Sequence, residues 1–252
     1  MSQKLDPGVI LITGASSGIG RSCAQHLSQK GYIVYGTSRS PGQNSTGYQM
    51  ISLNVDHPDA VANAVMQVLS QEGHIDVLIN NAGYGVAGSV EDTSMSEMKQ
   101  QFETNYFGMV RMIHQVLPSM RARRQGCIIN ISSIGGRIGI PFQGAYSASK
   151  FAVEGLTEVL SMELKAFGIR VVLVEPGDFR TSFTEHRIKA VRSLSSPVYA
   201  DRCQGAVQVM ERDERQGHDP IEIASLVEKI IQNPSPGLRY SVGPPLERCA
   251  IH

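Results

Sequence analysis

The chain has 252 residues, 41% of them hydrophobic, and its 23 basic and 23 acidic side chains leave a formal net charge of zero. That length suits one large domain or two small ones. A balanced charge supplies no field to draw a nucleic acid or an anionic membrane surface, so neither is expected as a partner.

Short β-rich runs alternate with longer helical patterns. Val9 to Thr13 reads as a buried strand, and Gly18 to Lys30 as a helix with Ile19, Cys23 and Leu27 on one face. Tyr32 to Thr37 and Met50 to Leu53 are the next strands, followed by a helix from Ala60 to Leu69 and a fourth strand from Ile75 to Asn80. Ser96 to Arg123 is predicted as one long helix, Cys127 to Ser132 as the fifth strand, and Tyr146 to Phe167 as a second long helix running straight into the strand Ile169 to Val174. Glu222 to Ile231 is a late helix and Leu238 to Val242 a last strand. Continuous apolar strands separated by helices imply an α/β chain with a parallel sheet covered on both faces. No linker or repeat divides the chain, so a single domain spanning residues 1–252 is expected. The polar stretch from Thr181 to Asp219 reads as a partly helical insertion over the carboxyl ends of the strands, where ligands bind in such sheets.

Other features exclude more than they assert. Cys23, Cys127, Cys203 and Cys249 are far apart and lack CxxC spacing, so buried free thiols are expected rather than disulfides. The seven histidines show no ligand spacing, and no metal is expected. The opening Met-Ser-Gln-Lys-Leu-Asp-Pro-Gly has no apolar signal core, and no apolar run reaches the roughly 20 residues of a membrane span. A soluble, reducing, cytoplasmic setting is the expectation.

The first strand is followed at once by Thr13-Gly14-Ala15-Ser16-Ser17-Gly18-Ile19-Gly20. Its glycines permit a tight turn and close backbone approach to a pyrophosphate, and the helix then opens with its free N–H groups toward that ligand. Further along, Tyr146 and Lys150 lie one helical turn apart, thirteen residues after Ser133. A free tyrosine, with a pKa of about 10, carries protons poorly at neutral pH. A nearby ammonium favours the phenolate and lowers that value. A serine hydroxyl at the same point would hydrogen-bond a carbonyl oxygen while the tyrosine moves the proton.

Thr13 to Gly20, Asn80-Asn81-Ala82-Gly83, Asn105, Ser133, Tyr146-Ser147-Ala148-Ser149-Lys150 and Pro176-Gly177 together resemble, in order and spacing, the short-chain dehydrogenase/reductase family. The resemblance runs from about residue 8 to residue 243. It implies a single-domain Rossmann fold with a doubly wound, seven-stranded parallel sheet. It also implies catalytic roles for Tyr146 as general acid or base, for Lys150 as the cation beside it and the holder of the nicotinamide ribose, for Ser133 on the substrate oxygen, and for Asn105 as anchor of a relay water. Gly14, Ser16, Ser17, Gly18, Ile19 and Gly20 would cradle the cofactor, with Asn54 and Val55 near the adenine. Asn81, Ala82 and Gly83 would run along it, and Pro176, Gly177 and Thr181 would lie beside the nicotinamide. The second strand ends Gly36-Thr37-Ser38-Arg39, with no carboxylate for a ribose diol and with an arginine fork suited to a 2′-phosphate. The cofactor is therefore expected to be NADP(H).

The stretch Gly135 to Gln143 carries Ile138, Ile140 and Phe142, while Phe179 and Phe183 stand ready to cover the same pocket. Glu175 to Thr181 and the end of strand two are similar to the branch of hydroxysteroid and retinol dehydrogenases. The expected activity is interconversion of a bulky apolar alcohol with its ketone or aldehyde, with reduction as the expected direction. A redox-sensing regulator that binds NADP without turnover is the competing reading, disfavoured by the presence of both Tyr146 and Lys150. Relatives pair the long helices into a dimer, so a homodimer or homotetramer is expected. Ala152, Val153, Leu156, Val159 and Leu160 are its candidate contacts, unless they face the sheet.

Overall fold

The computed structural model describes residues 8–40 and 47–244. Cys249 and the first seven residues lie outside them. Seven parallel strands form one sheet: β1 (Val9–Ile12), β2 (Ile33–Ser38), β3 (Gln49–Ser52), β4 (Val77–Asn80), β6 (Gly126–Ile131), β7 (Ile169–Pro176) and β9 (Arg239–Val242), in the order β3-β2-β1-β4-β6-β7-β9. The order reverses between β1 and β4, which opens the crevice at the carboxyl ends where a doubly wound sheet binds its ligand. The fold is the expected seven-stranded Rossmann domain.

Strand alternation divides the core into two layers. Val9 and Leu11 of β1 face one side, with α2 (Pro58–Glu72), α4 (Met109–Arg123) and α5 (Gly144–Lys165). Ile10 and Ile12 face the other, with α1 (Gly18–Gln29) and α7 (Ile221–Gln232). Local chemistry sets the helix ends. Pro58 opens α2 with a pre-set φ, and Gly73 closes it at φ 76°. Ser94 and Glu97 form a capping box at the start of α3 (Met95–Phe102).

Three expectations are corrected. The helix expected over Ser96 to Arg123 is interrupted: α3 passes into a π-helical turn, Glu103–Gly108, before α4 begins. At its end Gly108 leaves room for Val55, whose Cγ2 lies 2.7 Å from where a Cβ on Gly108 would sit. Apolar periodicity runs through such a widened turn and cannot reveal it. Second, Val153 and Leu160 are core residues against the sheet, not surface contacts. The face α5 leaves exposed is Phe151, Val159 and Met162. Third, Phe179 is 4% exposed and packed in the α1–α7 layer beside the His218 ring, so it does not cover the pocket.

The insertion is more ordered than its polarity suggested. It holds the short strand β8 (Ile188–Lys189), the helix α6 (Ala200–Gln216) and a 3₁₀ turn between them. β8 pairs in parallel with β5 (Val86–Ala87), through Ile188 N–H to Gly85 O at 2.9 Å and Ala190 N–H to Ala87 O at 2.8 Å. Cys203 and Val207 of α6 pack on Ala87 and Phe142. Cys23, Cys127 and Cys203 are buried free thiols. Leu78 is fully buried in the central strand. Leu78→Ala should cost about 3 kcal/mol, read as a lower urea midpoint.

Candidate active site

The glycine-rich turn is clamped to the chain leaving β4. The Thr13 hydroxyl accepts from the backbone of Asn81 (2.9 Å) and Ala82 (3.0 Å). The Asn81 amide donates to Thr13 O (2.9 Å) and Gly14 O (3.0 Å). Gly14 and Gly18 take the left-handed φ values +67° and +53°, which glycine adopts without strain. At Gly20 a Cβ would fall 2.3 Å from Gly14 O, so only glycine lets α1 approach the turn. Ser17, at the N-cap of α1, makes no side-chain capping bond. The first N–H groups of the helix thus keep their donors for an anion.

A cavity of about 370 Å³ lies over this turn, within the size range of small-molecule sites. Gly14, Ser16, Ser17, Gly18 and Ile19 line it, as do Arg39, Asn54, Val55, Asn81, Ala82, Gly83 and Thr181. Gly20, Pro176 and Gly177 do not. Gly20 packs beneath the turn, and Gly177 donates its N–H to Val242 O at 2.8 Å. Thr181 closes over Gly18, whose Cβ would sit 3.2 Å from the threonine Cβ. Sequence reasoning missed Tyr84, Gln100, His186 and Ile188, which also line the cavity. Tyr84 directly follows Gly83 and was open to inference from that adjacency. His186 and Ile188 come from the insertion, where no periodicity points inward. Burial and the Asp56 charge push the Tyr84 hydroxyl up, and the Arg39 guanidinium acts against them.

Ser133, Tyr146 and Lys150 come together beyond the ends of β6 and β7. Ser133 and Tyr146 come together beside Gly135, and the Ser133 Oγ accepts from Gly135 N–H at 3.0 Å. Ser132 points the other way, to Glu154. Lys150 Nζ donates to Ile131 O at 2.8 Å and lies 5.8 Å from the Tyr146 ring centroid. Asn105 sits in the π turn. Its amide accepts from Tyr84 N–H (3.1 Å) and donates to Tyr84 O (3.0 Å) and Ser149 Oγ (3.2 Å). Asn105, Lys150 and Ile131 share a void of about 10 Å³, about enough for one water.

The electrostatics differ from the sequence expectation. Burial pushes the Tyr146 hydroxyl up to about 12; the Ser133 hydroxyl and the Arg187 charge oppose this, and Glu214 and Asp178 reinforce it. Burial also pushes Lys150 down to about 8, against the support of Glu154. Desolvation disfavours both charged forms and outweighs the attraction that spacing alone suggested. Phe183 adds to that burial, its ring 5.6 Å from the Tyr146 ring.

The arrangement is that of a dinucleotide-binding oxidoreductase, with an anion cradle at a helix start and a hydroxyl pair beside a buried lysine. The sequence profile of the short chain dehydrogenase family matches residues 8–191, and the chain belongs to that family. The chain is 48% identical over 240 residues to a 3-ketodihydrosphingosine reductase of Bacteroides thetaiotaomicron, across 95% of this chain and 89% of that protein. It is 35% identical to retinol dehydrogenase 8 of Bos taurus, across 92% and 80%. A crystal structure of a short-chain dehydrogenase from Streptomyces avermitilis superposes with a TM-score of 0.86 at 32% identity, across 97% and 91%.

The Lys150 shift has a stability consequence. Below pH 8 the folded chain holds a desolvated ammonium. Between pH 8 and the ordinary lysine value of 10.5 the unfolded chain binds more protons, so stability rises with pH in that window. Tyr146 works oppositely above pH 10, where the unfolded chain loses its proton first. Lys150→Met should be more stable than the parent at pH 7 by about 2 kcal/mol, after about 1 kcal/mol for the lost bond to Ile131 O. The difference should shrink toward pH 10 in denaturation curves taken across that range.

Proposed function

We propose that the chain reduces the ketone of a bulky apolar substrate with NADPH, and that 3-ketodihydrosphingosine represents the class. The observation that carries this reading is the joint burial of Ser133, Tyr146 and Lys150 next to a glycine-rich cradle. The relative that is 48% identical supports the substrate class, since its name specifies a ketone borne on a lipid chain.

The residues present fit a nicotinamide dinucleotide. The uncapped start of α1 and the room kept by Gly20 suit a pyrophosphate. Arg39, on the cavity wall at the end of β2, offers its fork to a 2′-phosphate. Asn54, Val55, Asn81, Ala82, Gly83 and Thr181 hold the rest of the cofactor along the cavity. Pro176 and Gly177 shape the strand end beside it. When bound, the nicotinamide supplies the reducing equivalent. Ser133 donates a hydrogen bond to the substrate oxygen, and Tyr146 delivers the proton to that oxygen. Lys150 stabilises the phenolate left behind and binds the ribose. The Asn105 segment holds a water in the void beside Lys150, through which the proton on Tyr146 is replaced. The enzyme acts as a homodimer through the apolar α5 face of Phe151, Val159 and Met162, all exposed.

Calorimetric titration should show tighter binding of NADPH than of NADH, and Arg39→Asp should reverse the order; unchanged preference would overturn the phosphate role. Oxidation of NADPH with 3-ketodihydrosphingosine, followed by absorbance, tests the substrate class. Tyr146→Phe should lower that turnover about 10³-fold and leave the NADPH Kd within about twofold. Turnover that survives this change would sink the proton-donor role.

A further inference from the structure

The insertion places a buried arginine against Phe183, a residue that lines the cavity. The Arg187 side chain is 1% exposed, and its guanidinium binds Glu214 of α6. The other Glu214 oxygen accepts from Thr184 Oγ1 at 2.6 Å, so both carboxylate oxygens are taken. Arg187 Nε and Nη1 are buried with no hydrogen-bond partner. Orphaned donors of this kind are costly unless something compensates them. The neighbour is Phe183, whose ring centroid lies 5.6 Å from Arg187 Cζ. The negative ring face attracts the guanidinium and partly satisfies it. The same ring lies 5.6 Å from the Tyr146 ring and fills the space over Gly85, whose Cβ would fall 3.1 Å from Phe183 Cζ.

We propose that Arg187, held by Glu214, is a positioning residue for the substrate: it fixes Phe183 as the wall against which the ketone packs beside Tyr146. The proposal rests on the reading of Tyr146 as the proton donor. The chain of contact runs from α6 through a buried ion pair and an aromatic ring to the reacting hydroxyl. Arg187 meets the substrate through Phe183; its charge also opposes the upward push on the Tyr146 hydroxyl, an effect that Arg187→Met removes and Arg187→Lys keeps. A packing wall holds ground state and transition state alike, so its loss raises KM and leaves kcat standing. A merely structural loss would lower kcat with the folded fraction and leave KM unmoved.

The test measures KM and kcat for 3-ketodihydrosphingosine and for decan-2-one in wild type, Arg187→Met, Phe183→Leu and the double variant. Each single change should raise KM about tenfold; Phe183→Leu should keep kcat within threefold, while Arg187→Met, which also removes the charge near Tyr146, should lower it by less than about tenfold. The double variant should be no worse than the poorer single one, because both break one contact. Arg187→Lys, which keeps the cation, should recover KM to within about threefold of wild type. A fall in kcat at constant KM, or effects that multiply in the double variant, would overturn the proposal. A second arm needs no turnover. The chain has no tryptophan, so Phe183→Trp puts its only tryptophan at the wall, excited selectively beyond the tyrosine absorption band. Adding Arg187→Met to it should shift emission to the red and raise acrylamide quenching; unchanged emission and quenching would overturn the proposal. If wild type reduces neither ketone, the functional reading fails alone and the fluorescence arm decides this one.

Discussion

The site depends on one close approach, that of the glycine-rich turn to the chain leaving β4. Thr13 and Asn81 exchange four hydrogen bonds with the backbone around them, joining the ends of two adjacent parallel strands at the switch point of the sheet. The clamp leaves no volume at Gly20, so the identity of that residue follows from its distance to Gly14 O. With the turn held, α1 presents its first N–H groups to the cavity instead of to a side-chain cap. Neither strand end could do this alone, because a parallel sheet leaves the peptide groups at its carboxyl edge without strand partners.

Most polar groups buried beneath the site find partners there. Asn80 donates to Asn130 at 2.9 Å, and Asn130 to Thr157 at 2.9 Å, a ladder that ties β4, β6 and α5 together in the core. Beyond Ser133, Tyr146 and Lys150, Arg239 of the edge strand lies 3.2 Å from both Glu154 and Glu175, and Ser241 donates to Glu175 at 2.5 Å. Arg137 approaches Glu175 from the loop that follows Ser133. Burial first, and the neighbouring Glu175 charge, raise Glu154 above the ordinary carboxylate range; Ser132 and Arg239 restrain it. These contacts join the segment after β6, the middle of α5 and the end of β7, which are the three pieces that carry or flank Ser133, Tyr146 and Lys150.

Two irregular pieces complete the pocket. The π turn carries Asn105 to Tyr84 and Ser149, and so links the chain after β4 to the helix of Tyr146. The insertion reaches the same place from above, through β8 on β5 and through Phe183 on Tyr146. Regular elements supply the scaffold, and Ser133, Tyr146 and Lys150 meet where two departures from regularity converge on it.

Much of this was legible in the chain. The buried strands, the two-sided sheet, the glycine-rich turn and the Ser133, Tyr146 and Lys150 set follow from periodicity and from spacings within one or two elements. So does the absence of a carboxylate at the end of β2. Each of these is a local property, governed by backbone geometry and by the side chains within a helical turn or a strand. What only the tertiary structure decided is which long-range neighbours win. It assigned Phe179 to the core and Phe183 to Tyr146, turned Val153 and Leu160 inward, and widened the helix at Asn105. It also reversed the expected pKa shift of Tyr146, because desolvation depends on everything that closes around a group, and residues from Gly85 to Glu214 do that closing.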